Sequence, residues 1–400
     1  MEESKSKHKA RNWFSSILIL LPRVFIVYPL YLFPSYFAVK FTNTKTRQLF
    51  LFSCLLIVNF FISAIFESVS ITAFLLSYIL QFPFLLFIFQ IPIKKGYEGM
   101  RILRIINVLA FLFSLINMVQ YGFPKLLPYR DFPPDYFSAF FGQGGAKMVT
   151  IIGFFGFTAE IFKKKGERNK IVMWIALLNF LIPSYLIGIL MGLTSLLLVA
   201  VRKNLLIPFL LILIGLIIVP FTIQRLNNIN STFTQTVGYN PKIFAYVSIG
   251  EVYNKYPATV FTGTSLGQFT STPALWASKY FAALSQHEIP NVPGLSMSGY
   301  HQKILGPVLS SISDDAWSLS SSANKPYTSV STVFTEYGLI LGTWIVILFI
   351  RAFRALGFQK RFVNTIFLFV GFLYFTDLMH DNLWLGYLLI LLKDISIDIT

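Results

Sequence analysis

One cysteine, Cys54, stands in a chain of 400 residues, and it lies inside an apolar run. No disulfide can close within the chain, so its long polar stretch is not a stapled secreted module. Charge is scarce too: Asp, Glu, Lys and Arg make up 12% of the residues, about half the share of a soluble domain. The acidic sign is the rarer, 17 residues against 33 Lys and Arg. The signatures of soluble catalysis are also missing: there is no P-loop, no H-E-x-x-H and no C-x-x-C. His8, His287, His301 and His380 have no ligand spacing, and Asp314-Asp315 is a pair rather than the D-x-D that holds a nucleotide-bound metal. These absences disfavour a zinc hydrolase and a metal-dependent transferase with a nucleotide-activated donor. No cleavable signal is expected either, because the apolar run after the basic stretch 1–12 lacks a small-residue cleavage site.

What is present is apolar. Hydrophobic residues reach 55% and the mean hydropathy is +0.66. Many runs are long enough to cross roughly 30 Å of hydrocarbon at 1.5 Å per residue. The expected fold is therefore an all-α polytopic integral membrane protein with about 11–12 transmembrane helices. Candidate spans are roughly 13–40, 48–66, 71–93, 102–120, 146–162, 170–183, 185–201, 204–222, 332–350, 362–378 and 383–398. The formal charge of +16 sits in short clusters between these runs, at 40–47, 94–104, 163–170, 202–203 and 351–361. That is the pattern of positive-inside orientation, not of a nucleic-acid surface. With all five clusters in the cytoplasm, the connections at 67–70, 121–145, 183–184, 223–331 and 377–382 become external. The bookkeeping fails only at the start, where both ends of 13–40 are basic and Pro22, Pro29 and Pro34 interrupt the run. A bent hairpin with Arg23 facing protein or water fits best there. The pair 170–183 and 185–201 is short for full thickness, which tilt or local thinning accommodates. No internal repeat is evident, which counts against an inverted-repeat transporter.

Three units follow: a bundle over 1–222 with its external loop at 121–145, a large external loop at 223–331, and the last spans at 332–400. A loop of that size needs a return for the entropy of ordering it. Within it, Asn240-Pro241 reads as a cap followed by proline at the first helical position. Ile243, Tyr246, Val247 and Tyr253 recur at helical spacing until Pro257, predicting an amphipathic helix near the outer membrane surface. The Gly and Ser content of 262–268 predicts a tight turn with exposed backbone N–H groups, and 294–299 and 318–322 read as irregular.

Lys125, Arg130 and Lys147 in and around the first external loop, and Arg225, Lys242, Lys255, Lys279, Lys303 and Lys325 in the second, run against the topological bias. A diphosphate leaving from a sugar carbon needs such cations, because its charge grows as the bond breaks. Arg offers a bidentate fork and Lys a point charge. His301 and Glu251 are candidate bases, Glu336 is placed to orient a cation or to cap a helix end, and Asp377, His380 and Asp381 cluster at the last external turn. Trp276 and Trp317 are candidate sugar platforms, although aromatics are common throughout.

Lys242, a helix of some twenty residues, and then G-T-S-L-G-Q-F at 263–269 resemble the large periplasmic loop of the O-antigen polymerase and O-antigen ligase superfamily. PYTSVSTVFTEYGLILG at 326–342 resembles its next element, where Glu336, Gly338 and Gly342 match E-x-G-x-x-G. The segment from Arg130 through FFGQGGAKMVTIIGFFG resembles its earlier external loop. The resemblance implies a helical cap before the last three spans and a metal-independent, inverting glycosyl transfer that needs no cofactor. The donor and acceptor would be undecaprenyl-diphosphate-linked glycans at the outer face of a bacterial inner membrane. It implies Lys242, Arg130 and Glu336 as functional residues, and with Arg225 as an external cation and His301 as a candidate base these are the expected catalytic residues. Lys147, Gly263, Gly267, Tyr327, Asp377 and His380 would contact substrate. The implied partners are membrane lipid, a chain-length regulator and a flippase, with no nucleic acid. Tyr327 and Thr328 stand where the ligases have His-Asn, and a phenol with a pKa near 10 is a poor base at neutral pH. That departure favours the polymerase branch over the ligase. A polysaccharide flippase is the alternative from another class.

Overall fold

The computed structural model describes residues 32–94, 97–121, 139, 145–164, 166–183, 185–200, 238, 241–278, 292–311, 327–358 and 360–399. The hairpin around Arg23, the span 204–222, most of the loop 121–145 and the stretch 318–322 lie outside them. Arg130 and Arg225 do too. Among the described residues the chain is helical, with a single antiparallel bridge between Val39 and Ile93.

A short α1 (Leu32–Ala38) leads into α2 (Asn43–Phe66), α3 (Ile71–Ile88), α4 (Gly99–Tyr121), α5 (Gly145–Ile161), α6 (Lys170–Leu181) and α7 (Leu186–Ala200). Then come α8 (Pro241–Lys255), α9 (Thr259–Thr262), α10 (Thr272–Ala277) and α11 (Gly299–Ser311). The chain ends with α12 (Ser329–Leu356), α13 (Arg361–Thr376) and α14 (Leu383–Asp398). Among the described residues four stretches, Thr44–Phe66, Ile71–Ile88, Gly99–Val119 and Ser329–Leu356, are long and apolar enough to cross a membrane. As expected, α6 and α7 are short.

Apolar side chains face both ways, as they do where the surroundings are lipid. Phe50, Leu55, Phe61 and Ile65 on α2 are exposed, while Phe52 and Leu56 are buried. By contrast, α14 is apolar all round and sequestered: Leu385, Leu388, Leu389, Ile390, Leu391, Leu392 and Ile395 are all buried. It packs against α3 and α4, with further contact to α1 and α5. Its Lys393 Nζ reaches the carbonyls of Leu86 (3.4 Å) and Ile91 (3.1 Å), satisfying the C-terminal end of α3. The expected span to residue 93 is thus cut short at Ile88. Gln90 adopts φ +54°, and Lys94 N–H pairs back with the Ala38 carbonyl at 2.9 Å.

The entry to α12 is earlier than expected. Thr328 and Ser331 form a reciprocal capping box, which starts the helix at Ser329 rather than at 332. The helix is broken inside by Gly338, at φ +69°. A Cβ there would lie 2.6 Å from Gly263 N, and one on Gly263, at φ +72°, would lie 2.3 Å from the Glu336 carbonyl oxygen. Two glycines thus let the loop backbone and the helix backbone touch, and Thr264 N–H pairs with the Thr335 carbonyl at 2.8 Å.

Helix α8 starts at Pro241 and ends just before Pro257, as the two prolines predict, and the expected cap Asn240 lies outside the described residues. Its buried face differs from the expected one. Phe244, Ala245, Ser248 and Val252 point inward, while Ile243 is exposed. Ala245 and Ser248 carry little hydrophobic signal, yet small residues allow close helix approach.

Candidate functional site

The sequence-derived site residues fall into two groups. The first forms around the turn between α13 and α14. Asp377 caps the end of α13 and is buried. Lys147, on the first turn of α5, lies 3.0 Å from its Oδ2 and donates to the Leu378 carbonyl at 3.0 Å. Tyr185 donates its hydroxyl to the same Oδ2 at 2.8 Å. Lys242, on the first turn of α8, donates to the Tyr327 carbonyl at 3.2 Å, and its Nζ lies 5.9 Å from the centre of the Tyr327 ring. Burial raises the Asp377 carboxyl, but Lys147 and Lys242 outweigh it and hold the group below the usual carboxylate range. Tyr327 is buried, and burial together with Asp377 and Asp381 pushes its phenol well above its ordinary value.

Ser329 knits this group together. Its N–H donates to the Asp377 carbonyl at 2.9 Å, and its hydroxyl oxygen accepts from Met379 N at 2.5 Å and His380 N at 3.0 Å. Asp381 accepts from Thr272 N at 2.6 Å, fixing α10 to the same turn. The structure therefore brings together Lys147, Lys242, Tyr327, Asp377 and His380, from four separate stretches of sequence. Tyr185 and Ser329 are additions that motif reading missed. A signal existed for Tyr185, since it follows the turn at 183–184 on the side assigned to 377–382.

The second group is Gly263, Gly267, Glu336 and His301. Here the expected exposed amides are not exposed. Residues 263–271 are buried, and their N–H groups converge on the buried Glu336 carboxylate. Gly267 N donates to Oε2 at 2.8 Å, and Phe269, Thr270 and Ser271 donate to Oε1 at 3.0, 3.1 and 3.0 Å. The loop makes an anion-binding nest and fills it with its own chain. Gly267 presses on the first turn of α3, where a Cβ would lie 2.3 Å from the Ala73 carbonyl oxygen. Gln268 completes the seam by pairing both ways with the Ser70 backbone, at 2.8 and 3.0 Å. Glu336 therefore orients backbone and not a cation, and Gly263 and Gly267 are packing residues without amides to offer a ligand.

His301 is also inside this seam. It is fully buried, and its Nδ1 lies 2.6 Å from the Phe269 carbonyl, so Nδ1 carries the hydrogen. Burial pulls the ring down to about 4, against the upward pull of that carbonyl. The folded value lies below the unfolded one of about 6.5, so the unfolded chain protonates first as pH falls. The stability gained from keeping the ring neutral is whole above about pH 6.5 and is lost toward pH 4, on the order of 3 kcal/mol in all. His380 is shifted in the same direction. Substituting His301→Gln should therefore remove part of the acid slope of melting temperature in detergent. A slope identical to the parent's would show that His301 is not the group responsible.

A third cluster holds the segment down at its far edge. Glu67, at the end of α2, accepts from Tyr256 at 2.6 Å and pairs with Lys303 at 2.5 Å. Tyr300 donates to the Ser63 carbonyl at 3.0 Å. Together with Tyr246 on the Phe375 carbonyl (2.8 Å) and Tyr253 on that of Phe334 (2.7 Å), these bonds attach α8 and α11 to α2, α12 and α13.

Comparison of the chain with protein-family models, with curated proteins and with solved structures gave no match.

Proposed function

We propose that this chain joins lipid-linked oligosaccharide repeat units by glycosyl transfer, at the outer face of a bacterial inner membrane. The observation that carries the reading is the convergence of Lys147 and Lys242 on the Asp377 turn, where the α8–α11 segment meets the apolar bundle. An ammonium has three donors, and Lys147 uses two, leaving one for a ligand oxygen. In the proposed reaction an acceptor sugar hydroxyl attacks the anomeric carbon of the donor glycan. The carbon–oxygen bond to diphosphate breaks, and the departing charge falls to Lys147, Lys242, Arg130 and Arg225. Undecaprenyl diphosphate fits this arrangement as the leaving group, its lipid lying among the spans. Chain-length regulator and flippase partners follow from the same reading.

The ligase alternative needs a base at Tyr327, whose phenol is buried and pushed further from titration. A transporter should carry charge pairs deep among its spans. The Arg104–Glu160 pair, at 2.6 Å, sits beside the basic connections at 94–104 and 163–170, and Lys393 closes a helix end, so neither favours that class.

Deletion followed by gel electrophoresis of the surface glycan tests the reading. A polymerase deletion leaves single repeat units, a ligase deletion removes all attached glycan, and a transporter deletion changes solute flux alone. Lys242→Ala and Arg225→Ala should each lower polymer formation about a hundredfold, the scale of losing one charge-stabilising group. Protein levels in the membrane should hold. Full polymer ladders in both variants would remove the assignment.

A further inference from the structure

We infer that His380 is the base that takes the proton of the acceptor hydroxyl, an inference that rests on the glycan-polymerase reading. Two imidazoles are buried in the described structure, and they differ in their surroundings. His301 has its Nδ1 committed to the Phe269 carbonyl, and its Nε2, also without a partner, lies in the seam that closes the loop, away from the Asp377 turn and its cations. His380 is buried with both ring nitrogens unpartnered, while its backbone is pinned by Ser329 at 3.0 Å. A buried polar group left without a partner destabilises the fold that holds it, so its retention calls for a use. Unlike the polar atoms of the 263–271 seam, this ring stands three residues from the carboxylate that gathers Lys147 and Tyr185, and next to Asp381. Orphaned hydrogen-bonding capacity in that position is what a reacting hydroxyl requires.

The hydroxyl oxygen forms the new bond to the anomeric carbon, and the old bond leaves with its electron pair on the diphosphate. One ring nitrogen of neutral His380 accepts the hydroxyl proton, and the imidazolium later returns it to water. Around the turn stand Asp377 and Asp381, Lys147 on α5, Tyr185 before α7, Lys242 on α8 and Tyr327 before α12. Among the described residues, Tyr337 on α12 and Tyr374 on α13 also interact with Asp381. Burial keeps His380 neutral by lowering its affinity for a proton, and Asp381 opposes that and would steady the imidazolium once formed. A base must be unprotonated at working pH, and this environment secures that.

The test uses full-length protein in lipid nanodiscs, with lipid-linked repeat units extracted from the deletion strain as both donor and acceptor. Single-turnover transfer is followed from about pH 5 to 9. His380→Gln should lower transfer about a hundredfold near neutrality and lose the acid limb of the pH profile, while His301→Gln keeps that limb. His380→Gly with added imidazole should regain transfer, a recovery that a purely structural role does not give. Undiminished transfer by His380→Gln, an unchanged acid limb, or no rescue by imidazole in a folded His380→Gly protein would overturn the assignment while leaving the polymerase reading intact. Absence of transfer by the parent protein would overturn both.

Discussion

Glu336→Gln should abolish stable folding, although it changes one oxygen to nitrogen. The carboxylate gathers four backbone N–H groups and is wholly buried. A glutamine retains one acceptor oxygen and turns an NH₂ toward donors that need an acceptor. Hydrogen bonds to a charged group contribute about 1.5–3 kcal/mol each, and an abandoned buried donor costs about 1–3 kcal/mol more. The sum is on the order of 5 kcal/mol or more, which equals the whole reserve of a marginally stable domain. Glu336→Asp keeps the charge but falls one methylene short, so it should lie between. The measurement is recovery of monodisperse protein from detergent, together with its melting temperature. A Glu336→Gln protein that melts with the parent would show that the nest does not need its anion.

Lys147→Met should cost both stability and polymer, and a second substitution should separate the two. Removing one partner of a buried ion pair typically costs about 3–5 kcal/mol, because the other charge is left without its counterpart. Asp377 is buried, and Lys147 is its nearest cation. Adding Asp377→Asn removes the stranded charge while keeping an acceptor for Tyr185. The double variant Lys147→Met/Asp377→Asn should thus recover most of the lost stability. Polymer formation should stay at least a hundredfold down, since the diphosphate still lacks its ammonium. A double variant that regains both stability and polymer would make Lys147 a structural counter-ion and nothing more.

Much of the helical frame was legible because local chemistry sets it. Apolar runs located α2 through α6, although α2 starts earlier and α3 stops sooner than expected, and α14 falls at 383–398 as expected. Pro241 and Pro257 bounded α8 for the same reason, since prolines act on neighbouring backbone. Errors came where contacts across the fold decide. The buried face of α8 runs through Ala245 and Ser248, which no hydrophobic count selects. The glycine-rich turn looked like an open cradle of amides, whereas a glutamate some 65 residues downstream occupies it. From sequence His301 is the candidate base and His380 a substrate contact, whereas the surroundings that separate the two imidazoles belong to the packed structure.

By itself the chain determined a helical protein rich in membrane-length spans, for charge spacing and apolar length act residue by residue. Only tertiary structure decided which polar groups meet. The Asp377 turn draws on residues near 147, 185, 242 and 327, and their convergence depends on how helices stack rather than on any local signal. Burial then divided these groups into those that hold the loop in place and those left with hydrogen-bonding capacity, because the loss of water is a property of the packed whole.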